Sequence, residues 1–172
     1  MSNTKDLIDG VAIIGFRIFS GNIDLYTLIT YGRTDEDFAL TSDDKIVFFE
    51  SIEFASEAFN LFGDSIKKIA SVPNSIELVC DIPLVVDLIK HETTDDSATI
   101  LNCLNTFFDL ILAIHAETPK KYKKILYDFA NYLTSDTDLD AFFGKSKDKR
   151  NEAVEAFTWC VGAIMLSSKI LR

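Results

Sequence analysis

The spacing of apolar residues changes along this chain, and this change limits the possible folds more than any other feature. In residues 11–19 apolar side chains recur at every second position, so Ile14 and Phe16 share one face. The turn residues "SGN" follow, and the β-branched and aromatic stretch "DLYTLITYG" comes next at 24–32. These two stretches predict a β-hairpin, and "KIVFFE" at 45–50 predicts a further short strand.

From Ser51 the apolar spacing becomes helical, with Ser51 as the predicted N-cap. A strand is predicted at 75–81, and a short helix at 64–71 is another candidate. Four later helices are predicted. The first begins after Asp81, the second spans 98–116, the third begins at Pro119 with Thr118 as cap, and the fourth spans about 148–170. Between the last two, "TDLDAFFG" predicts one short helical turn that Gly144 ends.

Strands therefore come first and helices later, which favours an α+β fold. We predict a small, mainly antiparallel sheet, made of the hairpin plus one or two strands, with helices on one of its faces. The 172 residues of the chain are 48% hydrophobic, and neither a linker nor a repeat divides them. The prediction is a single domain, 1–172, strand-rich over 1–81 and helical over 82–172.

Three features bear on the cell compartment. The first ten residues, "MSNTKDLIDG", are acidic where a signal peptide begins with basic residues. Polar residues interrupt the longest apolar runs, which are too short to cross a membrane. Cys80, Cys103 and Cys160 lie far apart among apolar neighbours, as buried reduced thiols do. We predict a cytoplasmic protein without a membrane segment, cofactor or cysteine-bound metal.

Charge is unevenly distributed along the chain. Residues 1–118 hold seven Lys or Arg against twenty Asp or Glu, whereas residues 119–172 hold ten against seven, and the net charge is −10. Such a protein should repel nucleic acid and attract basic partners. Alternatively, the acidity only keeps the protein soluble, and we consider this interpretation the simpler one.

Carboxylates at helical spacing raise the question of a metal site. Glu50, Glu53 and Glu57 fall within one arc of the helix predicted after Ser51, apart from the apolar arc around Phe59. This geometry favours a solvated face, because hard cations need several convergent oxygens. The acidic group from His91 to Asp96 is explained by a helix end followed by a helix start. We predict no metal site.

A polar stripe interrupts the otherwise apolar helix 98–116. Spacings of three and four residues place Asn102, Asn105, Thr106 and Asp109 on one face. We favour a strip exposed to solvent, but a pocket remains the alternative. If a pocket exists, it should lie here, with His115 or His91 as the available acid or base.

The stretch "PKKYKK" places lysines in the first turns of a helix, where the helix dipole disfavours them. Lys120, Lys123, Lys124 and Tyr127 share the face opposite the apolar stripe. Three interpretations are open: simple solvation, an ion network within or between chains, and an anion site at the helix N-terminus. Plain solvation is preferred, because exposed ion pairs are individually weak. No glycine-rich loop precedes the helix, which counts against the anion site.

The predicted C-terminal helix is apolar almost all round. One stripe contains Phe157 and Ile164, and a second contains Trp159 and Leu166. Such a helix is either central to the domain or shared with a partner, and Trp is a frequent interface anchor. A homo-oligomer formed through this helix is therefore one of the hypotheses.

No Ser, Cys or His arrangement in the sequence matches a nucleophilic catalytic motif. We predict a non-catalytic, acidic protein-binding module that masks a basic partner, in the manner of an immunity or inhibitor protein. The first alternative is a small-molecule-binding or enzymatic domain with a pocket near Asp109. The second is a structural homo-oligomer. The candidate binding residues are Asn102, Asn105, Asp109, His115, Lys120, Lys123, Lys124, Tyr127 and Trp159.

Overall fold

The computed structural model describes residues 8–32, 38–62, 75–91, 96–144 and 146–171. The strands are β1 (Ile8–Arg17), β2 (Leu25–Gly32), β3 (Phe38–Ala39), β4 (Thr41–Ser42), β5 (Lys45–Phe49), β6 (Ile76–Asp81) and β7 (Ser168–Leu171). The helices are α1 (Ile52–Phe62), α2 (Ile82–His91), α3 (Ser97–Ala113), α4 (Lys120–Leu133), α5 (Leu139–Phe143) and α6 (Lys147–Leu166). The predicted α+β fold is confirmed. The short helix predicted at 64–71 lies outside the described residues.

The sheet is mixed, and its main strand order is β4-β5-β2-β1-β6. In addition, β3 pairs with β2 and β7 pairs with β5. The predicted hairpin is β1 and β2, in which Ile14 pairs with Thr27. The antiparallel pairings involve β1 to β5, whereas β6 runs parallel to β1 and β7 runs parallel to β5. Local sequence does not show these parallel pairings, because each joins strands that are far apart in the chain.

Residues 38–42 are inserted between β2 and β5. Beyond the pairing of Tyr26 with Phe49, the two strands separate, and Leu40 bridges the gap: its N–H donates to Leu28 O (2.8 Å) and its carbonyl accepts from Val47 N (3.0 Å). The buried Thr27 hydroxyl adds a bond to Val47 O (2.9 Å). The sheet therefore opens locally, while its backbone groups at the opening remain paired.

Both faces of the sheet are covered, so the prediction of helices on a single face is wrong. Helices α2 to α6 pack on the face that carries Ile14, Phe16 and Phe48. On the other face, Ala55 and Phe59 of α1 pack against a second apolar cluster, formed by Val11, Ile13, Leu28, Val47 and Phe49. Continuous apolar runs such as "VAIIGF" are typical of strands covered on both sides, and they were the available signal.

The C-terminal helix also ends earlier in the structure than the sequence predicts. Helix α6 stops at Leu166, and Ser168–Leu171 forms β7 beside β5 instead of continuing the helix to residue 170. Ile46 N donates to Ser167 O at 3.0 Å and begins this pairing. The helical spacing extends through these residues, but pairing with the open edge of β5 overrides it.

Helix α6 is central to the helical layer, where it packs against α2, α3 and α4. Phe157 and Cys160 are buried, whereas Leu166 is exposed. Arg150 is also buried: it donates to Ile89 O (2.7 Å) and Asp140 Oδ1 (2.6 Å), and its guanidinium lies over the Phe143 ring. This arginine therefore joins α2, α5 and α6, although the sequence pattern did not indicate it.

Most predicted helix starts are confirmed. The Ser51 hydroxyl accepts from Phe54 N (3.2 Å), and the Asp81 carboxylate accepts from Leu84 N (3.1 Å) while also pairing with Arg17. Gly144 ends α5 with φ of 61°, as predicted. Thr118 is not the cap of α4, because Pro119 occupies that position without a side-chain hydrogen bond.

All three cysteines are buried and none is joined in a disulfide, as predicted for reduced thiols. Burial raises the pKa of the Cys160 thiol from 9.0 to about 11. The pKa of Cys103 is raised as well, first by its hydrogen bond with Cys80 and then by burial. Their raised pKa values keep Cys103 and Cys160 protonated, and hence poorly nucleophilic, at neutral pH.

We expect Arg150→Met to lower the free energy of unfolding by about 1–3 kcal/mol, because the buried Ile89 carbonyl loses its charged donor. Urea denaturation followed by circular dichroism measures this loss. Lys121→Met is the matched control: it breaks only the exposed ion pair with Glu152 (2.8 Å) and should leave the midpoint unchanged. Equal losses in the two variants would contradict a special role for Arg150.

The raised pKa of Cys160 predicts that the free energy of unfolding depends on pH in the alkaline range. Between pH 9 and about 11 the unfolded chain loses the thiol proton that the folded chain retains, so the free energy of unfolding falls as pH rises through this range. In Cys160→Ala this decline should be shallower, while the slope between pH 6 and 8 stays as in the wild type. Denaturant titrations at each pH measure both slopes, and identical alkaline slopes would show that Cys160 ionises freely in the fold.

Candidate functional site

A polar cleft of about 220 Å³ lies between α3 and the sheet. Helix α3 contributes the predicted stripe, and strands β1, β2 and β6 contribute the opposite wall. The lining residues are Ala12, Ile14, Ile29, Tyr31, Glu77, Leu78, Asn102, Asn105, Thr106 and Asp109. The pocket that we considered as the alternative to a plain solvent-exposed strip is therefore present beside the stripe.

The stripe occupies the boundary between core and solvent. Asn102 and Asn105 are exposed, Asp109 is half-buried, and Thr106 is buried with its hydroxyl donating to Asn102 O at 3.0 Å. The opposite face of α3 buries Ile100, Leu104 and Phe107 and fixes the rotation of the helix. The amides and the carboxylate consequently face the cleft and are held there by the core behind them.

Two sheet residues complete the cleft, and the sequence analysis missed them. The Tyr31 ring crosses Gly10 so closely that a Cβ at that glycine would lie 2.2 Å from Tyr31 Cζ. Gly10 is therefore required for this ring position. Exposed Glu77 on β6 adds a second carboxylate to the lining of the cleft. Only the parallel pairing of β6 with β1 brings Glu77 here, so no local pattern could have revealed it.

The charged side chains in the described lining of the cleft are acidic. Glu77 and Asp109 are carboxylates, the other polar groups are amides and hydroxyls, and the described lining residues include no Lys, Arg or His. Such a set of oxygens favours a ligand that donates hydrogen bonds and carries positive charge.

Neither histidine belongs to the described lining of this cleft. His115 is exposed just beyond α3, at φ of 52°, and His91 pairs with Asp87 at 2.9 Å on the exposed side of α2. The acid or base that the enzymatic alternative assigns to them is therefore not placed beside Asp109. The rest of the acidic group after His91 includes residues 92 and 95, which lie outside the described residues.

The lysines of α4 make contacts within the chain. Lys124 pairs with Asp128 (2.6 Å), Lys121 pairs with Glu152 of α6 (2.8 Å), and Lys123 Nζ lies 5.6 Å from the centre of the Tyr127 ring. Lys120 is exposed. These contacts favour the interpretation of an ion network within the chain over an anion site. The Tyr127 ring also stacks on Phe108 with 4.6 Å between centroids.

Trp159 is half-buried on α6, where its ring lies 6.4 Å from that of Tyr122 on α4. It therefore contributes to the packing of two helices within the chain, as expected if α6 is central. This contact explains Trp159 without a partner, and the homo-oligomer through α6 stays a hypothesis.

The glutamates of the first metal hypothesis are all exposed: Glu50 precedes α1, and Glu53 and Glu57 lie on it. Across the parts of the chain that the structure describes, no group of three or more His, Cys, Asp or Glu side chains converges as a metal site would. Nor does any described helix have the length and hydropathy needed to span a membrane.

A second, larger cavity of about 410 Å³ lies on the α1 face of the sheet, where residues 38–42 separate β2 from β5. Apolar side chains line most of it, and Lys169 and Ser42 are among its polar residues. The sequence analysis missed this cavity because it placed Lys169 in a helix and all helices on one face.

Comparisons with known proteins give the fold and little else. No family model and no curated protein matches the chain. One solved structure is similar: the crystal structure of the SatS C-terminal domain in complex with bromine covers 94% of each chain with a TM-score of 0.62. Sequence identity is 13%, so this likeness shows a shared α+β architecture and carries no statement about function.

Proposed function

We propose that this protein is a non-catalytic binding module whose polar cleft takes a basic segment of a partner protein. One observation carries the proposal: the described lining of the cleft combines the carboxylates of Glu77 and Asp109 with the amides of Asn102 and Asn105. A guanidinium or ammonium group finds both charge and hydrogen-bond acceptors in such a set.

The distribution of charge supports the same partner. Residues 1–118, which supply every described residue of the cleft, carry the balance of −13 that follows from their composition. A field of that sign accelerates the approach of a basic partner, and the cleft then provides short-range contacts that slow its departure. The two effects act on different rate constants and can be measured separately.

The cleft also favours the small-molecule alternative, because a concave site beside Asp109 is what that hypothesis requires. It is smaller than most small-molecule pockets, and neither histidine lies in its described lining. We therefore rank binding of a protein segment first and keep the small molecule as the outcome that would replace it.

The test uses a short arginine-rich peptide as probe and a glutamate-rich peptide of equal length as its control. We expect the basic peptide to bind with an association rate that falls as salt rises, since the field reaches only about 8 Å at physiological ionic strength. In the paired variant Glu77→Gln, Asp109→Asn the affinity should fall by about tenfold or more, mainly through faster dissociation. Surface plasmon resonance gives both rates.

The matched control is Glu53→Gln, Glu57→Gln, which removes the same charge from exposed positions of α1 on the other face of the sheet. It should slow association slightly and leave dissociation unchanged. Equal dissociation rates in the two paired variants would remove the cleft from the proposal. A neutral small molecule that raises the melting temperature of the wild type but not of Asp109→Asn would favour the alternative instead.

A further inference from the structure

The opening between β2 and β5 produces a cavity that the proposed function does not use. Its apolar walls include Val11, Leu28, Val47 and Phe49 from the sheet and Ala58 and Phe59 from α1. It lies on the α1 face, and the polar cleft lies on the face toward α3. A ligand here would therefore be independent of a basic segment bound in the cleft.

The size and chemistry of the cavity indicate the body of its ligand. An apolar cavity of roughly 150 Å³ accommodates benzene. At about 410 Å³, this one has room for an unbranched chain of about ten carbons, and it falls within the usual range of ligand pockets. Because most of the lining is aliphatic or aromatic, the larger part of the buried ligand should be apolar.

Lys169 indicates the head group. It lies on β7 beside β5, with its Nζ 2.5 Å from Ser42 Oγ and 3.4 Å from Asp43 Oδ2. Its side chain is 32% exposed, whereas that of Asp43 is 88% exposed and lies largely in water. The Ser42 hydroxyl thus holds the ammonium group in the cavity lining, and the solvated Asp43 carboxylate neutralises only part of its charge. Lys169 is the one cationic residue in the described lining.

We propose that this cavity binds a single-chain amphiphile with an anionic head group, a medium-chain carboxylate being the simplest example. The alkyl chain occupies the space between α1 and the sheet, and the carboxylate accepts a hydrogen bond from Lys169 Nζ. The net charge of −10 opposes the approach of an anion, but screening limits that effect to about 8 Å, so the adjacent lysine decides the head group.

The experiment compares decanoate with decanol and decylamine by isothermal titration calorimetry, each below the concentration at which it forms micelles. We expect decanoate to bind tightest and decylamine weakest. Octanoate, shorter by two methylenes, should bind about 15-fold more weakly than decanoate, because each buried methylene contributes about fourfold. Equal affinity for all three head groups, or the absence of saturable decanoate binding, would overturn the proposal.

Two variants locate the site. Lys169→Met should weaken decanoate binding about tenfold and leave decanol unaffected. Ala58→Leu extends a cavity-facing side chain into the space and should weaken both ligands, while near-ultraviolet circular dichroism confirms the fold. Decanoate binding that survives both changes, or that disappears in Glu77→Gln, Asp109→Asn, would place the ligand elsewhere and refute the assignment. An apolar peptide that outcompetes decanoate would point to a protein segment as occupant and count against it as well.

Discussion

A column of four buried phenylalanines joins the sheet to the helices, and the placement of the polar cleft depends on it. Phe48 of β5 meets Phe16 of β1 edge-on at 5.2 Å, Phe16 lies parallel to Phe107 of α3 at 6.3 Å, and Phe107 stacks on Phe157 of α6 at 4.9 Å. Each ring is at most 1% exposed. Beyond the area that they bury, such ring pairs contribute about 0.5–1.5 kcal/mol each.

The column also determines which residues of α3 remain outside the core. With Phe107 fixed against Phe16, rotation of α3 about its axis is restricted, and the side of the helix that carries Asn102, Asn105 and Asp109 lines the cleft with β1, β2 and β6. On the other face, the wedge of residues 38–42 keeps β2 and β5 apart. One site thus results from the orientation of a helix, and the other results from an interrupted strand pairing.

Sequence alone could predict the features that depend on local periodicity and on capping. The hairpin, the starts of α1 and α2 and the polar stripe of α3 are of this kind, because each follows from residues that are neighbours in the chain. Glu77 and Tyr31 reach the cleft through strand pairing, which a single sequence does not specify. Lys169 shows the same limit more sharply: its helical spacing is real, but the unpaired edge of β5 determines its conformation.

The apolar runs of β1 and β5 carried information that the alternation rule discards. Val11 and Ile13 alternate with Ala12 and Ile14, so both faces of β1 are apolar, and Val47 and Phe49 do the same opposite Ile46 and Phe48. A sheet with two apolar faces needs a cover on each side. Helix α1, whose exposed glutamates and buried alanines suit a thin outer layer, meets that need.

The parallel pairing of β5 with β7 has a consequence for the order of folding. Ile46 and Ser168 are adjacent in the sheet, yet the whole helical layer lies between them in sequence. During synthesis, β5 leaves the ribosome long before β7. Until then the edge of β5 that pairs with β7 has no partner strand from β7. Contacts of such long separation slow folding, and an exposed strand edge is a site of association between chains. Pairing of Ser168–Leu171 with β5 therefore covers an edge on which another strand could otherwise pair.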